Sequence, residues 1–243
     1  MARWVGGGQL DLKTRDGDKP PMGVMVKICG INSRDAADAA LRAGTDFAGL
    51  VFFERSPRHL SLDQAAVLAR LLRGRARVVA LLVDPPDAAV DEVMAAISPD
   101  LIQLHGNESP ARTAAIAARA ARPVIKVLAV ADAADVVRAH AYEDAADYLL
   151  FDAKSDASAA RPGGWGAAFD WQLVSGRTFK RPFGLAGGLT PENVARAIQV
   201  SGAKFVDASS GVEDAPGRKS PEKIVAFVAA ARNAPYTNIA GAA

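Results

Sequence analysis

An α/β fold, specifically an eight-stranded parallel βα (TIM) barrel, is what this 243-residue chain predicts, on three observations. Short apolar runs alternate with Ala-rich stretches of helical spacing through most of the length, the pattern of parallel strands joined by crossover helices. Eight such runs can be counted, and the units differ in sequence, unlike the identical repeats of a solenoid. The first run leads into CGINSRDAA, where an open dinucleotide-binding sheet would carry a glycine fingerprint.

The predicted strands are Val24–Cys29, Phe47–Phe52, Arg77–Val83, Leu101–Leu104, Val124–Leu128, Tyr148–Phe151, Phe183–Leu185 and Phe205–Asp207. Between them, residues such as Leu62, Ala65, Ala66, Ala69 and Leu72 share one helical face that would pack on the sheet. Ser33 and Ser61 stand where N-caps belong, and Thr190 followed by Pro191 gives the same start signal before the seventh helix. Residues 1–23 lack periodicity and read as a flexible extension, 24–234 as a single barrel domain, and 235–243 as a short tail.

Composition narrows the function. The chain is 50% apolar and 23% charged, which suits a globule with one large core rather than a disordered chain. No apolar run is long enough to cross a bilayer, and the first residues lack a secretory segment, so the cytoplasm is the expected compartment. The formal charge is only +2, with Lys and Arg scattered, so no nucleic-acid groove is expected. A single cysteine leaves no partner for an intrachain disulfide and no Cys-rich metal site. Cys29 is therefore either a buried apolar filler or a reactive thiol.

A barrel builds its active site at the C-terminal ends of its strands, so polar residues there are the candidates. Cys29 closes the run VKIC, on the same face as Lys27, whose charge would favour a thiolate. Asp152 follows the apolar run Tyr148–Phe151 and could donate a proton to a departing oxygen, or stand in a loop facing solvent. Gly187 and Gly188 after the seventh strand, with Ser209, Ser210 and Gly211 after the eighth, supply the small residues that a barrel phosphate site needs. Arg58 in RSPRHLS could grip a carboxylate by two points, or lie solvated on the surface. His105 shares a face with Gln103 and has no ligand-spaced partner, which favours positioning or structure over metal binding. The loop 153–168, with glycines beside an indole, could close over a substrate or simply be mobile.

Taken in order, VKICGI, GLVFFERSPRHLS, IQLHGNES, LLFDAK, PGGWGAAFDW, FGLAGGLTPENV and VDASSGVEDAPGRK resemble the phosphoribosylanthranilate isomerase family from Val24 to Arg232. The resemblance implies the Amadori-type conversion of N-(5-phosphoribosyl)anthranilate to 1-(2-carboxyphenylamino)-1-deoxyribulose 5-phosphate, in tryptophan biosynthesis. It implies Cys29 as base, Asp152 as acid, Arg58 on the anthranilate part and Asp207 lining the same mouth, with no cofactor and no metal. The phosphate would lie between Gly187, Gly188, Ser209, Ser210 and Gly211. Residues before Val24 have no counterpart in the family pattern. Monomer is the expected state, with a homodimer as the alternative. The competing readings are another phosphosugar epimerase or aldolase, for which Lys126 would be the Schiff-base candidate, and a phosphometabolite-binding barrel without catalysis.

Overall fold

The structure, a computed structural model, describes residues 23–154 and 169–235. Eight parallel strands close on themselves in sequence order: β1 (Met25–Cys29), β2 (Phe47–Phe52), β3 (Arg77–Leu82), β4 (Leu101–Leu104), β5 (Val124–Val130), β6 (Tyr148–Ala153), β7 (Phe183–Leu185) and β8 (Phe205–Ala208). β8 pairs back onto β1 with Met25 opposite Phe205 and Lys27 opposite Asp207. The α/β barrel expectation holds, and the runs fall where the apolar stretches put them. Two ends differ in a way that matters. β6 continues through Asp152 to Ala153, with Asp152 opposite Ala129 of β5, so this carboxylate sits on the sheet and not beyond it. β5 likewise extends two residues past Leu128, pairing along the same ladder.

Around the barrel run α1 (Arg34–Ala43), α2 (Leu62–Leu72), α3 (Asp87–Ile97), α4 (Pro110–Ala120), α5 (Ala133–Val137), α6 (Val194–Ser201) and α7 (Pro221–Arg232). Before β7 the described residues show a 3₁₀ turn, Trp171–Val174, in place of a helix. Local chemistry sets the starts. Ser33 accepts from the Ala36 N–H, and Ser61 forms a reciprocal capping box with Gln64. Thr190 and Pro191 do not cap α6, which begins three residues later behind Asn193. The Asn193 side chain accepts from the Thr190 N–H and donates to the Gly188 carbonyl, folding TPEN into a tight turn that serves the β7 loop. Residues 1–22 of the predicted extension, 236–243 of the tail and 155–168 of the 153–168 loop lie outside the described residues.

A recurring device fixes the N-terminal rim. Asp46, Asp100 and Asp147 each directly precede an even-numbered strand and accept from a backbone N–H near the start of the preceding odd one, on Val26, Val78 and Val124, at 2.6, 2.8 and 2.9 Å. Inside, Met25, Phe47, Leu101, Tyr148 and Phe205 cluster near the strand starts and plug that end. Cys29, Val51 and Leu81 form a separate small apolar layer toward the strand ends. The remaining apolar faces pack against the helices in one large cluster.

Alternation along β5 puts Ile125 and Val127 in the barrel interior, and Val124, Lys126 and Leu128 toward the helices. Lys126 is therefore buried outside the barrel lumen. Its Nζ lies 2.5 Å from Glu108 and donates to the Gly106 carbonyl at 2.8 Å. Glu108 also accepts from the N–H of Asp84 at 2.8 Å and of Gly106 at 3.0 Å. This knot shapes the turn after β4. Removing one partner would leave the other charged and buried without compensation. Glu108→Ala is expected to lower unfolding stability by roughly 3–5 kcal/mol in urea titrations, and the double variant Glu108→Leu with Lys126→Met by clearly less.

Candidate active site

All nine predicted site residues, Cys29, Arg58, Asp152, Gly187, Gly188, Asp207, Ser209, Ser210 and Gly211, line one cavity of about 720 Å³, part of it open to solvent, at the C-terminal ends of the strands. Cys29 ends β1 and is 5% exposed. Gly49 on the neighbouring strand leaves it room, since a Cβ there would come within 3.0 Å of the Cys29 sulfur and 3.1 Å of Lys27 Nζ. Lys27 points into the lumen and pairs with Asp207 at 2.9 Å, and its charge also acts on the Cys29 thiol. Burial disfavours charge on Lys27, but Asp207 and Cys29 outweigh it and raise its proton affinity. Burial pushes the Cys29 thiol up, with Lys27 and Lys219 pulling the other way. Lys27 is thus the cation beside the thiol that the sequence suggests, although burial remains the larger influence. The second oxygen of Asp207, Oδ1, has no hydrogen-bond partner among the described residues although it is buried.

Asp152 faces the lumen next to Leu150, while Phe151 between them turns outward onto Phe179 and Phe183. It is 5% exposed, so it is not a solvated loop acid. His105 reaches it from the end of β4, with Nε2 at 3.1 Å from Oδ2. Gly187, at φ +76°, allows this close packing, because a Cβ there would lie 2.7 Å from Asp152 Oδ1 and 2.5 Å from the Ala153 nitrogen.

Arg58 is buried, not solvated. Its Nε and one terminal nitrogen hold Glu213 side-on at 2.7 and 2.8 Å, leaving the end-on edge of the guanidinium unused by that pair. Glu213 also takes Lys219 Nζ at 2.7 Å. Both arise from a short hairpin after β8, formed by β9 (Glu213–Ala215) and β10 (Arg218–Lys219). Burial opposes the charge on Glu213, yet the bonds from Arg58 and Lys219 hold its carboxyl below the ordinary range. One carboxylate faces two cations there, so burial, with Arg58 adding, pushes Lys219 down to about 8. Sequence reasoning missed this hub. Its signal was an acid and two bases inside the motifs already noted, at spacings that only the hairpin brings together.

The loops after β7 and β8 touch backbone to backbone. A Cβ on Gly211 would fall 1.9 Å from the Leu189 carbonyl oxygen, so nothing but glycine fits. No backbone carbonyl among the described residues takes the N–H of Gly187 or Gly188. Ser209 departs from its expected part: its hydroxyl donates to the Cys29 carbonyl at 3.1 Å and accepts from Lys219 at 3.2 Å, so that O–H is not free for an anion. Its backbone N–H remains a candidate. Lys126, the Schiff-base candidate of the aldolase reading, does not line the cavity.

Comparison with known proteins identifies the family and the fold. The family model for N-(5'-phosphoribosyl)anthranilate (PRA) isomerase matches residues 26–230. A relative from Paramagnetospirillum magneticum, named N-(5'-phosphoribosyl)anthranilate isomerase, is 52% identical over 211 residues, which are 87% of this chain and 98% of the relative. The crystal structure of phosphoribosyl anthranilate isomerase from Thermotoga maritima is 34% identical with a TM-score of 0.77, covering 86% of this chain and 98% of that one. A structure of the enzyme in complex with reduced 1-(o-carboxyphenylamino)-1-deoxyribulose 5-phosphate is 33% identical with a TM-score of 0.74, over 86% of this chain and 98% of that one. This chain belongs to the N-(5'-phosphoribosyl)anthranilate isomerase family.

Proposed function

We propose that the chain isomerises N-(5-phosphoribosyl)anthranilate with Cys29 as general base and Asp152 as general acid. The observation that carries this reading is a thiol and a carboxyl, 123 residues apart in sequence (152 − 29), facing one cavity whose rim offers unengaged backbone N–H groups. Asp152 protonates the furanose oxygen while the anilinic nitrogen's lone pair opens the ring to an iminium. The cation acidifies the neighbouring carbon. Cys29 as thiolate takes that carbon's proton, and the resulting enolamine tautomerises to the ketone. Burial works against the thiolate, so the ammonium groups of Lys27 and Lys219 and the developing iminium are the charges that favour it.

The phosphate is held by the N–H groups around Gly187, Gly188 and the Ser209–Gly211 turn. Arg58 meets the anthranilate carboxylate with its end-on edge, while Glu213 fixes the other. Asp207 uses its unpaired oxygen to accept from a substrate hydroxyl. A single domain spans 24–234, with 1–23 and 235–243 appended, and the cytoplasm is the working compartment. The protein is a monomer: the large apolar residues most exposed among those described, Val67, Val137 and Val225, sit on three different helices rather than in one patch. A homodimer is the alternative, and light scattering decides between them.

In a fluorescence assay with substrate generated in place, Cys29→Ala and Asp152→Asn are each expected to cut turnover about 10²–10⁴-fold with unchanged circular dichroism. Undiminished turnover in either pure variant removes that residue's role. Arg58→Lys keeps a positive charge on Glu213 and loses the fork, so KM is expected to rise about tenfold with kcat little changed. An unchanged KM contradicts the clamp. Because burial raises the thiol, iodoacetamide labelling of the free enzyme at its single cysteine is expected to rise with pH around a midpoint above that of an exposed cysteine peptide. A midpoint at or below the peptide's refutes the assigned direction.

A further inference from the structure

Beside the proposed acid stands a side chain that the reaction as written does not use. His105 lines the cavity, with Nε2 3.1 Å from Asp152 Oδ2. Asp152's other oxygen, Oδ1, is directed toward the β7 loop, where the backbone at Gly187 comes so close that a Cβ would lie 2.7 Å away. The two oxygens therefore have different neighbours. The terminal torsion of an aspartate is broad, so an unrestrained carboxyl presents either oxygen to a substrate. A donor on one of them fixes the carboxyl plane and the identity of the oxygen that carries the proton.

The turn bearing His105 is unusually well anchored for a loop. The His105 N–H bonds the Leu82 carbonyl at 2.9 Å. The next residue, Gly106, is pressed so closely on the Asp84 carboxylate that a Cβ would lie 2.4 Å from its oxygen. Asp84 in turn accepts from the Asn107 N–H at 2.7 Å, and the buried Lys126–Glu108 pair binds Gly106 at both its carbonyl and its N–H. A buried ion pair is weak as a source of stability, but it can fix a register. Here it holds the residue that follows the imidazole.

We propose that His105 is a positioning residue for Asp152: its Nε2–H donates to Oδ2 and leaves Oδ1 to deliver the proton to the substrate's ring oxygen. Lys126 and Glu108 act through it by setting its turn. The proposal rests on the reading of Asp152 as the acid.

The test compares His105→Leu, which fills similar space without a donor, with His105→Gln, whose terminal N–H reaches about as far as Nε2. Single-turnover rates are expected to fall roughly 10–100-fold in the Leu variant and to return to within about fivefold of the parent in the Gln variant. Binding of the reduced product, the ligand seen in the related complex, is expected to change less than about threefold in both. His105→Asn, polar but one bond too short, is expected to match Leu and serves if that variant does not fold. In an Asp152→Asn background the Leu substitution is expected to add less than about twofold. Parental rates in the Leu variant, or equal loss in Leu and Gln, overturn the positioning role. If Asp152→Asn itself turns over like the parent, the acid assignment falls, and this role with it.

Discussion

The parallel pairing of the first and last barrel strands is the constraint on which the rest of this molecule depends. It sets Lys27 opposite Asp207 across the closing seam, residues 180 apart in the chain. Closure is what turns eight strand ends into one rim. Without that seam Lys27 would have no carboxylate to pair with and the Ser209 turn would have no Cys29 carbonyl to bond. The ion pair is buried, and such a pair adds little net stability over apolar side chains of the same size. Its two members act on the neighbouring thiol in opposite directions, Lys27 favouring the thiolate and Asp207 opposing it.

The charges at the mouth are arranged in groups that nearly balance. Lys27 answers Asp207, and Glu213 answers Arg58 and Lys219 together. The second group carries one more cation than anion, and this imbalance is itself informative. An anionic ligand entering the cavity would be met by a guanidinium already fixed in place rather than one that has to be ordered on binding. Rigidity at the rim thus comes from residues that need never touch the ligand, Glu213 on its hairpin and Glu108 beneath the β4 turn.

Much of this was legible beforehand, for a physical reason. Parallel strands covered on both faces read as unbroken apolar runs, and a polar residue ending such a run stands out. Cys29 and Asp152 were visible in that way, and so were the small residues after β7 and β8. What stayed hidden was orientation and distance. A strand buried on both sides gives no clue to which face is the lumen, so Lys126 could pass for a lumenal lysine when it lies outside. Thr190 and Pro191 satisfied the local preference for a helix start, but the Asn193 amide captured both the Thr190 N–H and the Gly188 carbonyl and delayed it. The hydroxyl of Ser209 looked available because its two partners, the Cys29 carbonyl and Lys219, are brought to it only by tertiary structure. The neighbour of His105 was likewise 47 residues away (152 − 105).

The three aspartates at the opposite rim have a consequence for how such a chain can change over time. Each must stand directly before its strand to reach the backbone of the strand before it. An inserted or deleted residue between aspartate and strand would break that tie and also reverse the inward and outward faces for whatever followed. Among the described residues, segments at the other rim show no such tether to a strand's start. Evolution is thus free to lengthen or exchange loops where chemistry is done, while the spacing at the foot of the barrel is held to the residue.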